Sequence, residues 1–242
     1  MFGSLDCTHL QWDKCPVSQH GQYIDRSGKK PEVMGAVAGH DLWIWHAYIG
    51  IPGSNNDINI VNHSPLMSKL LKGVAPHVQF VANGNQYSMS YLLVDGIYPN
   101  WPIFMKTISQ PQGQKRQYYA EKQEAVRKDV ERTFGVLQAR FSMLKNPCRL
   151  WNRSTIISFW TACVILHNMI IEDERDEVLE DLFPQQRFVQ SDFAQRSQDP
   201  FTFDRLIAGT KLTTNESAYF KLRDDIIEEL WRKKGEENQD SQ

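Results

Sequence analysis

The chain has 242 residues, 41% of them hydrophobic and 23% charged, with a formal net charge of −2. That length holds one well-buried α/β domain with an appendage, the composition is that of a soluble globular protein, and the overall charge argues against a polyanion as partner. The four cysteines (Cys7, Cys15, Cys148 and Cys163) do not form a secreted disulfide framework and no apolar signal follows Met1, so a reducing compartment, cytosol or nucleus, is expected.

Residues 1–10 read as a short strand whose apolar run ends at Asp6. Residues 33–51 predict a hairpin, Val33–Ala38 and Leu42–Ile49 about a Gly39-His40-Asp41 turn, because β-branched and aromatic residues dominate both arms. Their near-continuous apolarity fits a central sheet covered by helices. Gly53-Ser54-Asn55-Asn56-Asp57 is a loop with helix-start chemistry, and a short helical region to Lys72 is divided at Pro65. Val78–Met89 predicts a second hairpin, turning at Asn83-Gly84. Tyr91–Asp95 reads as a buried strand ending before Gly96, Trp101–Ile108 as a short helix, and 109–116 as a polar loop.

A long helix is expected from Tyr118 to Phe141, where Val126, Val130, Phe134, Leu137 and Phe141 form one apolar stripe. At about 100° per residue, Glu131 lies at the edge of that stripe and Asp129 lies a similar angle off on the other side, so periodicity does not choose between them. Residues 154–172 predict a helix apolar nearly all round, hence buried. Its run Ile156–Ile171 is broken by Ser158, Thr161, His167 and Asn168 and is too short to span a bilayer. An acidic stretch, Glu172–Asp181, and a loosely ordered segment, 184–212, follow. A last helix opens on a capping-box pattern, Thr213 to Glu216, and carries the stripe Tyr219, Leu222, Ile226 and Leu230 through Trp231. The expected organisation is a domain over 1–174, an acidic and polar linker over 175–212, an amphipathic helix over 213–234 and a disordered tail over 235–242.

Charge is distributed unevenly. Residues 1–114 carry 7 basic and 7 acidic residues, net 0; residues 115–153 carry 10 and 4, net +6; residues 154–242 carry 10 and 18, net −8. The basic excess surrounds Glu131, where a phosphate backbone could dock, although a solvated charged helix has the same composition. Asp6 and Asp95 follow strand-like runs, Asp57 opens a helix and Glu131 lies on one, at spacings of 51, 38 and 36 residues. Carboxylates on rigid elements are the ligands with which a divalent cation cleaves phosphodiesters. An Asp after a strand is also an ordinary turn residue, so spacing alone does not decide.

The residues around these acids are more specific. Gly3-Ser4-Leu5-Asp6-Cys7-Thr8-His9, Gly53 to Asn59, Leu93-Val94-Asp95-Gly96-Ile97-Tyr98-Pro99 and Val130-Glu131-Arg132-Thr133-Phe134-Gly135-Val136-Leu137 resemble the catalytic blocks of PIF/Harbinger transposases and the nucleases domesticated from them. Leu166-His167-Asn168-Met169-Ile170 resembles that family's downstream signature, and Asp225 to Trp231 its C-terminal helix. The resemblance implies a DDE nuclease on an RNase H-like fold: an α/β protein with a mixed sheet flanked by helices and a helical C-terminal appendage. Asp6, Asp95 and Glu131 match the catalytic triad, Asp57 matches a further metal-binding acid, and Mg²⁺ or Mn²⁺ is the implied cofactor. Arg127, Lys128 and Arg132 are the candidate phosphate contacts. The family implies DNA as substrate, a separate Myb-like protein for sequence recognition, and a nuclear location; no membrane partner is expected, and a homo-oligomer is compatible. Family transposases carry a helical region ahead of the first aspartate, whereas five residues precede Asp6 here, so no intrinsic DNA reader is expected.

Other constellations are weaker. Cys7, His9, Cys15 and His20 lack zinc-finger spacing. Cys163 and His167 at i, i+4 read as a core thiol and a hydrogen-bonded core histidine. Trp43, Trp45 and Trp101 could stack on bases, but buried strand tryptophans are commoner. No phosphate loop or nucleophile elbow is present. The alternative function is a catalytically silent, transposase-derived nuclear interaction module, docking a protein through the helix at 213–234 and the acidic segment. A generic RNase H-fold enzyme of another lineage is a third reading.

Overall fold

The computed structural model describes residues 1–71, 78–182 and 214–240. Its five-stranded sheet has the order β3-β2-β1-β6-β7, with β1 at Gly3–Gln11, β2 at Pro31–Ala38, β3 at Ile44–Pro52, β6 at Leu92–Val94 and β7 at Phe104–Lys106. β2 and β3 are antiparallel from Glu32↔Pro52 to Ala38↔Ile44, with register shifts after Val33 and Val37. β6 runs parallel to both β1 and β7, which makes the sheet mixed. Every residue of β2 is buried: its apolar run Val33–Ala38 suits a strand covered on both faces, and Glu32 is buried against Arg153. The second predicted hairpin forms from β4 (Phe80–Ala82) and β5 (Asn85–Tyr87). Asn83 and Gly84 take positive φ values of 50° and 75°, the two left-handed residues that a tight hairpin turn needs.

The helices are α1 (His20–Tyr23), α2 (Asp57–His63), α3 (Pro65–Leu71), α4 (Gln114–Arg140), α5 (Ser142–Lys145), α6 (Arg153–Leu182) and α7 (Glu216–Asp240). A mixed sheet flanked by helices and followed by a C-terminal helix is the architecture expected of the RNase H-like class. Asn56 caps α2 by accepting the Asn59 amide at 2.9 Å, and the break before Pro65 falls where the ring forbids a continuous helix.

Five local expectations are corrected. Trp101–Ile108 contains strand β7, not a helix; three residues are too few for a periodic signal, and pairing with β6 decides their state. The polar loop yields to α4 at Gln114, because good helix formers such as Gln, Lys and Arg need no apolar period to extend a helix. α6 outruns its apolar stretch and carries the acidic residues on to Leu182; its Arg153–Glu174 segment is long and apolar enough, by length and composition, to cross a membrane, with mean hydropathy 1.6. α7 continues to Asp240 in place of a tail disordered from 235. Its cap is Asn215, whose Oδ1 accepts the Ser217 and Ala218 amides at 3.0 and 3.3 Å. Thr213 and the segment 184–212 lie outside the described residues.

Contacts divide the chain into two units. The first comprises Met1–Ser4, Leu66–Lys128 and Arg196–Gln242, the second Leu5–Pro65 and Asp129–Gln195. In the first, Leu93, Met105 and Tyr119 pack with Tyr219, Leu222, Ile226 and Ile227 of α7. The stripe of the last helix is therefore packed inside this unit's own core. In the second, Trp12, Tyr23, Met34, Val130, Phe134, Leu137, Ile156 and Trp160 share one core, and Val33, Ile51 and Ile60 form a smaller cluster with Cys7 and Tyr48. None of the four cysteines is in a disulfide, in keeping with their spacing.

Candidate functional site

Within the first unit, α4 pins the strand that presents Asp95. Gln123, buried on α4, donates from Nε2 to the carbonyls of Val94 (3.3 Å) and Met105 (3.1 Å), joining the last residue of β6 to β7. The Ser4 hydroxyl donates to the Val126 carbonyl at 2.9 Å, tying the start of β1 to the same helix. Asp95 follows β6 directly and is exposed, and its Oδ1 accepts the Gly96 amide at 2.6 Å. Lys106 on β7 donates to the Tyr98 carbonyl at 2.8 Å, closing the loop that Asp95 opens; burial lowers its ammonium below the usual range. Of the proposed phosphate contacts, Arg127 is half-buried and Lys128 exposed on α4.

Within the second unit, Asp6 is half-buried, and its Oδ1 accepts the Cys7 amide at 2.8 Å. It stands inside β1, as the strand read over residues 1–10 implies, and not at a strand end. Asp57 is the first residue of α2, where a carboxylate is favoured by the helix dipole. Ile60 of the same helix packs with Val33 and Ile51. On α4, Glu131 is exposed while Asp129 is buried. Asp129 is paired with His40 Nδ1 at 2.7 Å and with Arg132 at 3.3 Å, and Arg132 also donates to the His40 carbonyl at 2.9 Å. The two acids that periodicity could not separate thus differ in setting: Asp129 is tied into the β2–β3 turn and Glu131 faces outward.

The pairing of Gly3 with Leu92 and of Ser4 with Leu93 fixes the register of parallel strands β1 and β6. Asp6 and Asp95 are each oriented by the amide that follows it. All four candidates are hard oxygen donors, the chemistry that suits Mg²⁺ or Mn²⁺. Among the described residues no group of three or more His, Cys, Asp or Glu side chains is placed to hold a metal ion, and this includes Cys7, His9, Cys15 and His20.

The remaining sequence candidates have structural partners. His167 is buried, with Nε2 at 2.9 Å from the Leu42 carbonyl and Nδ1 at 3.4 Å from Arg140; Cys163 is buried on the same helix. Burial holds the imidazole below its ordinary value, with Arg140 adding to the effect and the Leu42 carbonyl opposing it. Trp43 and Trp45 are in ring contact at 6.2 Å, and Trp101 stacks on Phe104 at 5.8 Å. Sequence reasoning missed Gln123. Its signal is position: Tyr119, Gln123, Val126 and Val130 continue the apolar stripe of α4 at spacings of four, three and four, so a polar group there is a buried donor with a specific task.

In comparison with known proteins, the family model described as plant transposon protein matches residues 1–178. No curated protein and no solved structure matches the chain.

Proposed function

The chain belongs to the plant transposon protein family, whose model spans residues 1–178 of its 242, and from that premise we propose that it is a divalent-metal-dependent DNA nuclease of the PIF/Harbinger type. The observation that supports the reading is that Asp6, Asp57, Asp95 and Glu131, with the motifs around them, all lie inside the residues that the family model covers.

Asp6, Asp95 and Glu131 are the proposed ligands, with Asp57 in support. Bound there, Mg²⁺ or Mn²⁺ would activate the attacking hydroxyl and stabilise the leaving oxygen of an in-line displacement at phosphorus. The protein's part is to hold the acids: the Cys7 and Gly96 amides orient Asp6 and Asp95, and Gln123 fixes the end of β6. Lys128 and Arg127 would bind the DNA backbone as positive charges on the same helix. Arg132 already spans Asp129 and the His40 carbonyl, so it contributes by holding that turn as well as by charge. Sequence recognition and nuclear entry would fall to a separate Myb-like protein, after which the 3′-hydroxyl could be joined to target DNA.

Calorimetry with Mn²⁺ on folded wild type and on Asp95→Asn tests the reading. Binding that the substitution abolishes supports it. A folded wild type that binds no Mn²⁺, or a variant that binds as well as wild type, overturns it and favours the non-catalytic interaction module.

A further inference from the structure

We propose that the Tyr23–Glu32–Arg153 cluster is a tether that fixes where Asp57 stands, which makes these three positioning residues for the metal site. The inference rests on the reading of Asp57 as a metal ligand. All of its residues lie in the second unit. Glu32 is 0% exposed, and its Oε1 accepts from Arg153 Nε at 2.6 Å and from the Tyr23 hydroxyl at 3.1 Å. Arg153 is the first residue of α6. It also donates to the Gly50 carbonyl, and its guanidinium carbon lies 5.9 Å from the centre of the Tyr23 ring. One carboxylate thus joins β2 to α1 and to the start of α6, and through Arg153 to β3.

The loop that carries Asp57 hangs from the neighbours of these groups. Glu32 pairs with Pro52, the last residue of β3, and the chain then leaves the sheet. The Gly53 amide donates to the Pro31 carbonyl at 2.9 Å, and the Ser54 hydroxyl donates to the Gln22 carbonyl at 2.6 Å. Pro31 precedes Glu32 and Gln22 precedes Tyr23, so both anchors of the loop adjoin residues that the cluster locks together. Gly50, at φ 105°, is passed over where the register shifts from Val33↔Ile51 to Met34↔Ile49. This is a bulge, a device that bends the end of a strand, and Arg153 holds its carbonyl. Asp57 then opens α2 three residues after Ser54.

Energetics favour position over stability as the cluster's task. Taking a carboxylate wholly out of water costs hydration that an ion pair often fails to return, and apolar residues of similar size commonly hold a fold as well. Among the described residues Glu32 Oε2 has no hydrogen-bond partner, so part of that cost is not recovered. What apolar side chains do not supply is direction. The bonds from Arg153 to both Glu32 and Gly50 hold the bulge against the start of β2 in one geometry.

Mn²⁺ calorimetry and amide hydrogen exchange on the full chain test the tether. The triple variant Tyr23→Phe, Glu32→Leu, Arg153→Met replaces the cluster by apolar side chains. Its urea midpoint should hold, while its Mn²⁺ dissociation constant rises about tenfold, the low end for groups that orient a ligand without touching the metal. Without metal, the Gly53 amide should exchange about tenfold faster than in wild type, and the amides of β2 should keep their protection. His167→Gln, altered elsewhere in the same unit, should leave both the Mn²⁺ affinity and the Gly53 exchange at their wild-type values. Should the triple variant fail to fold, Glu32→Gln, which keeps the shape and removes the charge, decides by the same two readouts. A folded variant that binds Mn²⁺ as wild type does overturns this proposal alone. A wild type that binds no Mn²⁺ overturns the nuclease reading, and the tether's part in a metal site with it.

Discussion

Asp225 is the buried acid that fastens α7 to the β4–β5 hairpin, and Asp225→Asn should cost the protein about 2 kcal/mol at neutral pH. The Asp225 carboxylate accepts from Asn83 Nδ2 at 3.0 Å, from Asn85 Nδ2 at 2.8 Å and from the Tyr87 hydroxyl, and the residue is 7% exposed. Asparagine preserves the shape but removes the charge and turns one acceptor into a donor facing donors. Asn83 is exposed and recovers water. Asn85 and Tyr87 are half-buried, and each loses a charge-assisted bond for a neutral one, at about 1 kcal/mol apiece. Asp225→Ala leaves both without an acceptor and should cost about 3 kcal/mol. The pH dependence is specific. Burial pushes this carboxyl up, but the bonds from Tyr87, Asn83 and Asn85 outweigh it and hold it below the usual range. A depressed acid stabilises the fold above its unfolded value, near pH 3.9, and that contribution is lost as pH falls through the folded value. Urea unfolding at neutral pH and again in acid should therefore show a gap between wild type and Asp225→Asn that closes in acid. A neutral-pH gap under about 0.5 kcal/mol, or one that persists unchanged in acid, would refute the reasoning.

His167 predicts a sensitivity of the same sign, nearer neutral pH. Its depressed imidazole stabilises the fold above the ordinary histidine value of about 6.5, and the contribution is lost as pH falls through the folded value, so the wild-type melting temperature should drop on acidification from neutral pH. His167→Gln keeps a donor for the Leu42 carbonyl and should flatten that dependence; equal slopes in the two proteins would show that another group titrates. Gly53→Ala tests the loop before α2: an added Cβ would run into Pro31 Cγ and stand 2.7 Å from the Pro31 carbonyl oxygen. The clash should destabilise by about 1–3 kcal/mol, and an unchanged urea midpoint would mean that the loop shifts at no cost.

Strong local chemistry was legible in the sequence. The alternation and aromatic content of residues 33–51 become β2 and β3, and Asn83-Gly84 makes the turn that its φ preferences dictate. The apolar stripe of α4 places Val130, Phe134 and Leu137 in a core. What failed was decided by partners that no local pattern reveals. β7 exists because β6 lies beside it. The acids divide in the same way. Motif resemblance singled out Glu131, but periodicity could not foresee that Asp129 would be buried against His40, 89 residues away along the chain. Asp225 looked like one more exposed acid of an amphipathic helix, because its three donors come from a hairpin some 140 residues earlier.

The interleaving of the two units sets an order in which they can form during synthesis. Every described element of the second unit has been made once the chain reaches Leu182. The first unit contains β6 and β7 from mid-chain, yet Tyr219, Leu222, Ile226 and Ile227 of its core leave the ribosome after every described element of the second unit. Its apolar strands must wait, unclosed, through the translation of the intervening segment. A message cut short after residue 182 would retain all that the family model recognises while leaving Leu93, Met105 and Tyr119 without their helix. Such a product should be drawn to chaperones and proteases, because the apolar faces of Leu93, Met105 and Tyr119 stay uncovered without α7.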